Sequence, residues 1–206
     1  MTTDVWAPLS IEELTGRFAV TDIDWWIAGG LAIDLFLGWT SRHHEDVDIE
    51  VFRQDREVLF DVFEGWDLRT VSEGELSPWR RGEDIADGVF GIWGRPASGS
   101  PWAVEVILAS GNGGEWRFRR DPRITMGKDR LLRAAASGVR YCTPEVQLLY
   151  KAKRARAKDD IDLTRVLHLM SGEQKRWLMD ALALTEPAHP WLLVLESATR
   201  LKSGRG

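Results

Sequence analysis

The sequence predicts a mixed α/β (α+β) protein, with a small mixed sheet flanked by helices and a C-terminal helical subdomain behind it. Three observations lead there. A strand–Gly-Gly–helix–strand pattern occupies residues 25–52, short strands separated by loops rich in Gly, Ser and Pro run from 89 to 119, and helical patterns dominate from about Lys128 onward. Short strands with few crossover helices favour a mixed or antiparallel sheet over a doubly wound parallel one. The change of character near 122–128 divides the chain into a mixed α/β part, 1–124, and a helical part, 125–206.

Ser10-Ile-Glu-Glu13 reads as a capping box opening a short amphipathic helix that ends near Val20. Trp25–Ala28 is a short apolar strand running directly into Gly29-Gly30, and Leu31–Leu37 is a helix stopped by Gly38. From Val47 to Phe52 apolar residues alternate with acids, the period of a half-buried strand. Arg56–Trp66 returns to helical spacing. Val89–Trp93, Trp102–Ala109 and Glu115–Arg119 read as strands of a meander. Thr143-Pro144 starts a helix expected to reach Ala157, and helices follow around Leu163–Met170, Gln174–Leu184 and Trp191–Leu201. The tail from Lys202 to Gly206 is expected to fray.

Composition narrows the classes of function. A net charge of −5 argues against broad, sequence-independent duplex binding, though not against a local basic pocket. The single Cys142 excludes an internal disulfide and a multi-cysteine zinc site. Met1–Leu14 lacks the apolar run of a signal peptide, and no apolar run approaches the roughly 20 residues that span a bilayer. A cytoplasmic protein is expected. Of eleven Trp residues, most are expected to fill the core.

The chemistry concentrates between Trp26 and Asp48. Asp46 and Asp48 are one residue apart at the start of a strand, so both side chains point to one face with Cα atoms about 6–7 Å apart. Carboxylates that close repel unless a cation lies between them, and hard oxygen donors suit Mg²⁺, which keeps room for water and phosphate. Gly29-Gly30, between strand and helix, is either a plain turn or a cradle where backbone N–H groups let a phosphate approach. Arg42 either neutralises phosphate or holds the loop; His44 either orients a carboxylate or packs the loop; His43 is expected to be exposed. Glu105 stands in the otherwise apolar run Trp102–Ala109, where a carboxylate is costly unless paired or metal-bound. It is either a third ligand that accepts the attacking hydroxyl's proton or an acid on an exposed edge.

Gly-Gly followed by Arg-x-His-x-Asp-x-Asp resembles the polymerase-β-like nucleotidyltransferase superfamily, and more closely the small aminoglycoside and lincosamide nucleotidyltransferases. The resemblance is strongest over residues 26–51. It implies that Gly29 and Gly30 cradle a triphosphate, and that Asp46, Asp48 and Glu105 are the catalytic carboxylates holding two Mg²⁺ ions, with Mn²⁺ as a substitute. A second similar segment, Thr143–Asp162, carries Lys151, Arg154 and Lys158. On one continuous helix these would share a face, so Lys151 and Lys158 join Arg42 and His44 as candidate nucleotide-binding residues, with Lys151 the first choice for phosphate. The implied reaction moves a nucleoside monophosphate from an NTP, ATP foremost, to a hydroxyl of a small acceptor and releases pyrophosphate. An aminoglycoside-like antibiotic would suit acids such as Glu73, Glu75, Glu83 and Asp84, which read equally as loop solubilisers. Two rivals remain: a toxin-like relative modifying RNA or protein, and a non-catalytic nucleotide-binding module of the same fold.

Overall fold

The computed structural model describes residues 5–203, with side chains as far as residue 200. Its ten-stranded sheet runs in the order β4-β3-β5-β6-β2-β1-β10-β9, with β7 added to β6 and β8 to β7. The pairs β2–β6 and β1–β10 are parallel; the rest are antiparallel. The sheet is therefore mixed, as expected.

Helix α1, Ile11–Phe18, opens on the predicted capping box: Ser10 accepts from the Glu13 N–H at 3.1 Å, and Glu13 accepts from the Ser10 N–H at 2.8 Å. Strand β1 is Trp25–Ile27, α2 is Gly29–Leu37 with Gly38 left-handed at its end, and β2 is Asp48–Phe52. The expected helix over 56–66 is instead a 3₁₀ stretch, Arg53–Val58, and one turn, α3, Leu59–Val62. Its apolar residues still anchor it, with Leu59, Val62 and Phe63 buried.

A hairpin absent from the sequence reading follows: β3, Asp67–Ser72, and β4, Glu75–Pro78. Its turn is Glu73-Gly74, both with positive φ (51° and 83°), the backbone that a two-residue hairpin needs. Strands β5, Gly91–Arg95, β6, Val104–Gly111, and β7, Glu115–Arg117, match the expected meander to within a few residues.

The helical character begins later than Lys128. Three short strands intervene, β8 (Thr125–Gly127), β9 (Leu132–Ala134) and β10 (Arg140–Cys142), with the single turn α4 (Lys128–Leu131) between the first two. β10 lies beside β1 in the main sheet. The four helices then run α5, Pro144–Ala152, α6, Ala157–Leu167, α7, Gly172–Thr185, and α8, Trp191–Ser203. The expected fraying of 202–206 meets a helix as far as Ser203, and the rest lies outside the described residues.

The helix expected from 143 to 157 is two helices. It stops at Ala152, and α6 restarts because the Asp159 carboxylate accepts from the backbone N–H of Arg156 at 3.0 Å, capping a new N-terminus. Lys151 and Lys158 thus sit on different helices, with Arg154 in the connecting turn.

Strand alternation sorts the sheet into a dry face and a mixed one. Ile27, Ile49, Val51, Val104, Val106 and Leu108 share one core with α1. Trp26 and Phe52, on the opposite face, join the core built with α5 to α8. Asp48 and Glu50 occupy that second face between them, so the carboxylates look toward the helical half. Five Trp side chains (26, 79, 102, 116 and 191) are buried, in line with a core role.

Candidate active site

Parallel pairing of β2 with β6 puts Asp48 opposite Glu105 and Glu50 opposite Ile107. Period-two alternation then gathers Asp46, Asp48, Glu50 and Glu105 on one face at the junction of two central strands. Across from them stand α5, the turn after it and the start of α6. A cavity of about 540 Å³ lies between, reached by Gly29, Gly30, Asp46, Asp48 and Glu50 from the sheet side. From the other side it is lined by cations, among them Arg42, Arg119, Lys151, Arg154, Arg156 and Lys158. In a chain of net charge −5, eight Lys and Arg side chains line this cavity, with carboxylates at its floor. Such a ring of cations focuses a positive potential into the cavity above the carboxylates.

The carboxylates are under electrostatic strain. Burial, then repulsion from Glu105, Asp46 and Glu50, pushes the Asp48 carboxyl up to about 8, with Lys151 acting against the shift. Burial also raises Glu105, helped by Asp46 and opposed by the Trp93 indole and Arg119. Glu50 is pushed to about 7 by burial, against Arg119 and a 3.1 Å bond from the Trp26 indole N–H. Among the described residues, no three His, Cys, Asp or Glu side chains form a ready-made cation cage.

The glycine doublet has a packing role that the sequence alone did not show. Gly29 has φ 61°, and a Cβ there would overlap the Asp48 carboxylate; one on Gly30 would overlap Arg42 and His44. The Gly29 N–H donates to Gln147 Oε1 at 2.8 Å, tying the loop to α5. Gly29→Ala is expected to cost about 1–2 kcal/mol for the left-handed backbone alone, and to displace Asp48 as well. Thermal melting should fall by several degrees and nucleotidyl transfer should fail; an unchanged melting curve would contradict this packing.

His44 stands 2.7 Å from Asp34 on α2, and Ser41 donates to the same carboxylate at 2.5 Å. It orients a carboxylate, but one that anchors the loop before β2, and it does not line the cavity. His43 is exposed, as expected. Arg42 lines the cavity, with its Nε 3.8 Å from Asp162. Lys151 also lines it, with Nζ 3.0 Å from both Asp159 and Asp162. Burial opposes ionisation of Asp159, but bonds from Arg156 and Lys151 outweigh it and hold that carboxyl at about 2. Lys158 is exposed at the rim.

Several cavity residues escaped the sequence reading: Glu50, Arg119, Arg120, Gln147, Tyr150 and Asp159. Glu50 had a signal, since it continues the Asp46, Asp48 alternation. Arg119 and Arg120 had none, because their approach to the site depends on how β7 and the loop after it pack.

Residues 10–78 match the family model described as aminoglycoside-2''-adenylyltransferase. That segment holds the Gly-Gly loop and both Asp residues and ends before Glu105. No curated protein sequence matches the chain. Among solved structures, the solution structure of the antibiotic-resistance factor ANT(2'')-Ia is 18% identical, with a TM-score of 0.53, over 94% of this chain and 91% of that one. The lincomycin-bound crystal structure of the lincosamide antibiotic adenylyltransferase LnuA is 14% identical, with a TM-score of 0.54, over 80% of this chain and 100% of that one.

The chain has the nucleotidyltransferase fold. The resemblance to aminoglycoside and lincosamide nucleotidyltransferases is borne out at the level of family segment and fold, and with it the expected class of enzyme. Among the described residues, no helix is long and apolar enough to cross a membrane.

Proposed function

We propose that this nucleotidyltransferase moves AMP from ATP to a hydroxyl of a small acceptor, of the kind found in antibiotics, and releases pyrophosphate. The observation that carries this reading is one cavity that has Asp46 and Asp48 at its floor and Arg and Lys side chains around it. The donor set suits a divalent cation: hard oxygen ligands, one of them raised to about 8 by burial and then by its anionic neighbours. Asp46, Asp48 and Glu105 would hold Mg²⁺, with Mn²⁺ as a substitute. The bound metal would supply charge neutralisation and acidification of the acceptor hydroxyl.

The chain's own residues do the rest. Gly29 and Gly30, having no Cβ, let Asp48, Arg42 and His44 pack directly against the loop whose N–H groups would face the phosphates. Arg42, Lys151 and the Arg156–Lys158 turn meet the charge of the β- and γ-phosphates. Glu105 faces Asp48 from the neighbouring strand, where it can take the proton of the attacking hydroxyl. A cytoplasmic setting supplies the ATP. The retention of Asp46 and Asp48 in the matched segment, with Glu105 opposite Asp48 on the next strand, favours catalysis over a module that only binds nucleotide.

The test is pyrophosphate release from ATP in the presence of Mg²⁺ and an acceptor panel, together with calorimetry of Asp46→Ala. Binding of ATP should depend on Mg²⁺ in the parent and lose that dependence in the variant. Metal-dependent binding that survives Asp46→Ala would remove the assignment.

A further inference from the structure

A second cavity, about 570 Å³, adjoins the first at Ile107 and Arg119, which line both. Asp46, Asp48 and Glu50 open onto the first cavity, and Glu105 opens onto the second. In the proposed reaction the acceptor oxygen bonds to the α-phosphorus as that phosphorus loses the oxygen bridging it to the β-phosphate. The acceptor's proton passes to Glu105, and pyrophosphate leaves with the bridging oxygen. Attacking and leaving oxygens lie roughly in line, so the phosphorus stands between them. That places it between Glu105 and the Asp46–Asp48 pair, at the boundary the two cavities share.

Arg119 stands at that boundary. Of the described cations lining the first cavity, it is the one that also lines the second. The buried residues Trp116 and Phe118 pin the chain just before it into the core under the helices. Other cations of the first cavity are already engaged. Lys151 pairs with Asp159 and Asp162, Arg156 with Asp159, and Arg120 donates to the Tyr150 carbonyl at 2.9 Å. The half-buried Arg119 has its guanidinium carbon 5.0 Å from the centre of the Phe90 ring and 5.2 Å from that of Tyr150. Those rings hold the cation without using its N–H donors. Among the described residues the guanidinium has no hydrogen bond or ion pair. A planar fork with its donors free suits two oxygens of one phosphate, a geometry that an ammonium group cannot match.

We infer that Arg119 is a further catalytic residue, whose guanidinium donates to the non-bridging oxygens of the α-phosphate, an assignment that rests on the proposed transfer reaction. The contact strengthens as charge gathers on those oxygens in the transition state, so it acts on turnover more than on nucleotide affinity. Arg42 and Lys151, toward the β- and γ-phosphates, carry the affinity. The competing role for Arg119 is to offset the charges of Glu50 and Glu105, both of which feel its field.

The experiment measures pyrophosphate release from ATP and Mg²⁺ by the full chain, with tobramycin, lincomycin or water as acceptor. It is paired with calorimetry of a non-hydrolysable ATP analogue and with melting curves. Arg119→Ala is expected to lower kcat about 10²–10³-fold, the usual cost of removing one transition-state donor, with the ATP KM and the analogue's affinity nearly unchanged. Arg119→Lys keeps the charge facing Glu50 and Glu105 and should melt like the parent, yet lose at least about tenfold in kcat because the fork is gone. In Arg119→Ala/Glu50→Gln the acid left without its cation is neutralised, so any lost stability should return while kcat stays low. Parental kcat in Arg119→Lys, a fall in Arg119→Ala matched by lost analogue binding, or recovery of kcat in the double variant would overturn the inference. A parent that releases no pyrophosphate with any of the three acceptors would instead overturn the transfer reaction beneath it.

Discussion

Asp48→Asn is expected to lower nucleotidyl transfer by at least about 10³-fold, equivalent to some 4 kcal/mol of transition-state stabilisation, while making the metal-free protein more stable. The two effects share one cause. Asp48 is held at about 8 by burial and by Glu105, Asp46 and Glu50, so near neutral pH the fold must take up a proton on this side chain or carry a charge that its surroundings disfavour. A group whose folded pKa is raised contributes stability that is complete below its unfolded value, about 4, and lost as pH climbs through the folded one. The metal-free parent should therefore lose stability between about pH 4 and 8, and Mg²⁺ should restore it. Asparagine keeps the shape, carries no charge and is a poor metal ligand, so the variant should lose both the pH slope and the Mg²⁺ effect. Its gain near pH 7.5 should be on the order of 1–3 kcal/mol, read as roughly 2–4 °C of melting temperature per kcal/mol. Melting curves of parent and variant across that range, with and without Mg²⁺, decide it. A variant that melts lower than the parent at every pH would mean that Asp48 is a structural acid.

That strain was partly visible beforehand. Asp46-x-Asp48 announced a same-face pair because strand alternation is a local property, and the Gly-Gly doublet stood where a strand turns into a helix. Glu105 was legible as a carboxylate out of place in an apolar strand. Its partner was not: the parallel register that sets it opposite Asp48 joins strands separated by more than fifty residues. The β3–β4 hairpin was missed because its strands are short and mostly exposed, with only Leu68 fully buried, so no apolar period marked them. Its Glu73-Gly74 turn was the usable clue. β9 and β10 were missed because each has only three residues, too few to show a period. The break between α5 and α6 was hidden by composition. Lys153–Arg156 is basic and contains no Gly or Pro, so it reads as helix until Asp159 is seen capping the next one.

That break gives Lys151 its setting, and Lys151→Met is expected to have two separable effects. Lys151 Nζ lies 3.0 Å from Asp159 Oδ1 and 3.0 Å from Asp162 Oδ2, and both carboxylates are 1% exposed. Without the lysine, Asp159 keeps Arg156 at 3.0 Å, whereas Asp162 keeps only Arg42 at 3.8 Å. Removing one partner of a buried pair costs about 3–5 kcal/mol because the other charge is stranded, so melting should fall by roughly 10 °C. A loss of ATP binding in this variant would therefore be ambiguous on its own. Lys151→Met/Asp162→Asn removes the stranded charge together with the cation, and most of the lost stability should return through a coupling of several kcal/mol between the two sites. If Lys151 also meets the distal phosphates, the double variant will be stable yet bind ATP at least about tenfold more weakly, near the 1.5–3 kcal/mol of a hydrogen bond to a charged group, with AMP little changed. Recovery of both stability and ATP affinity would confine Lys151 to holding α5 against α6.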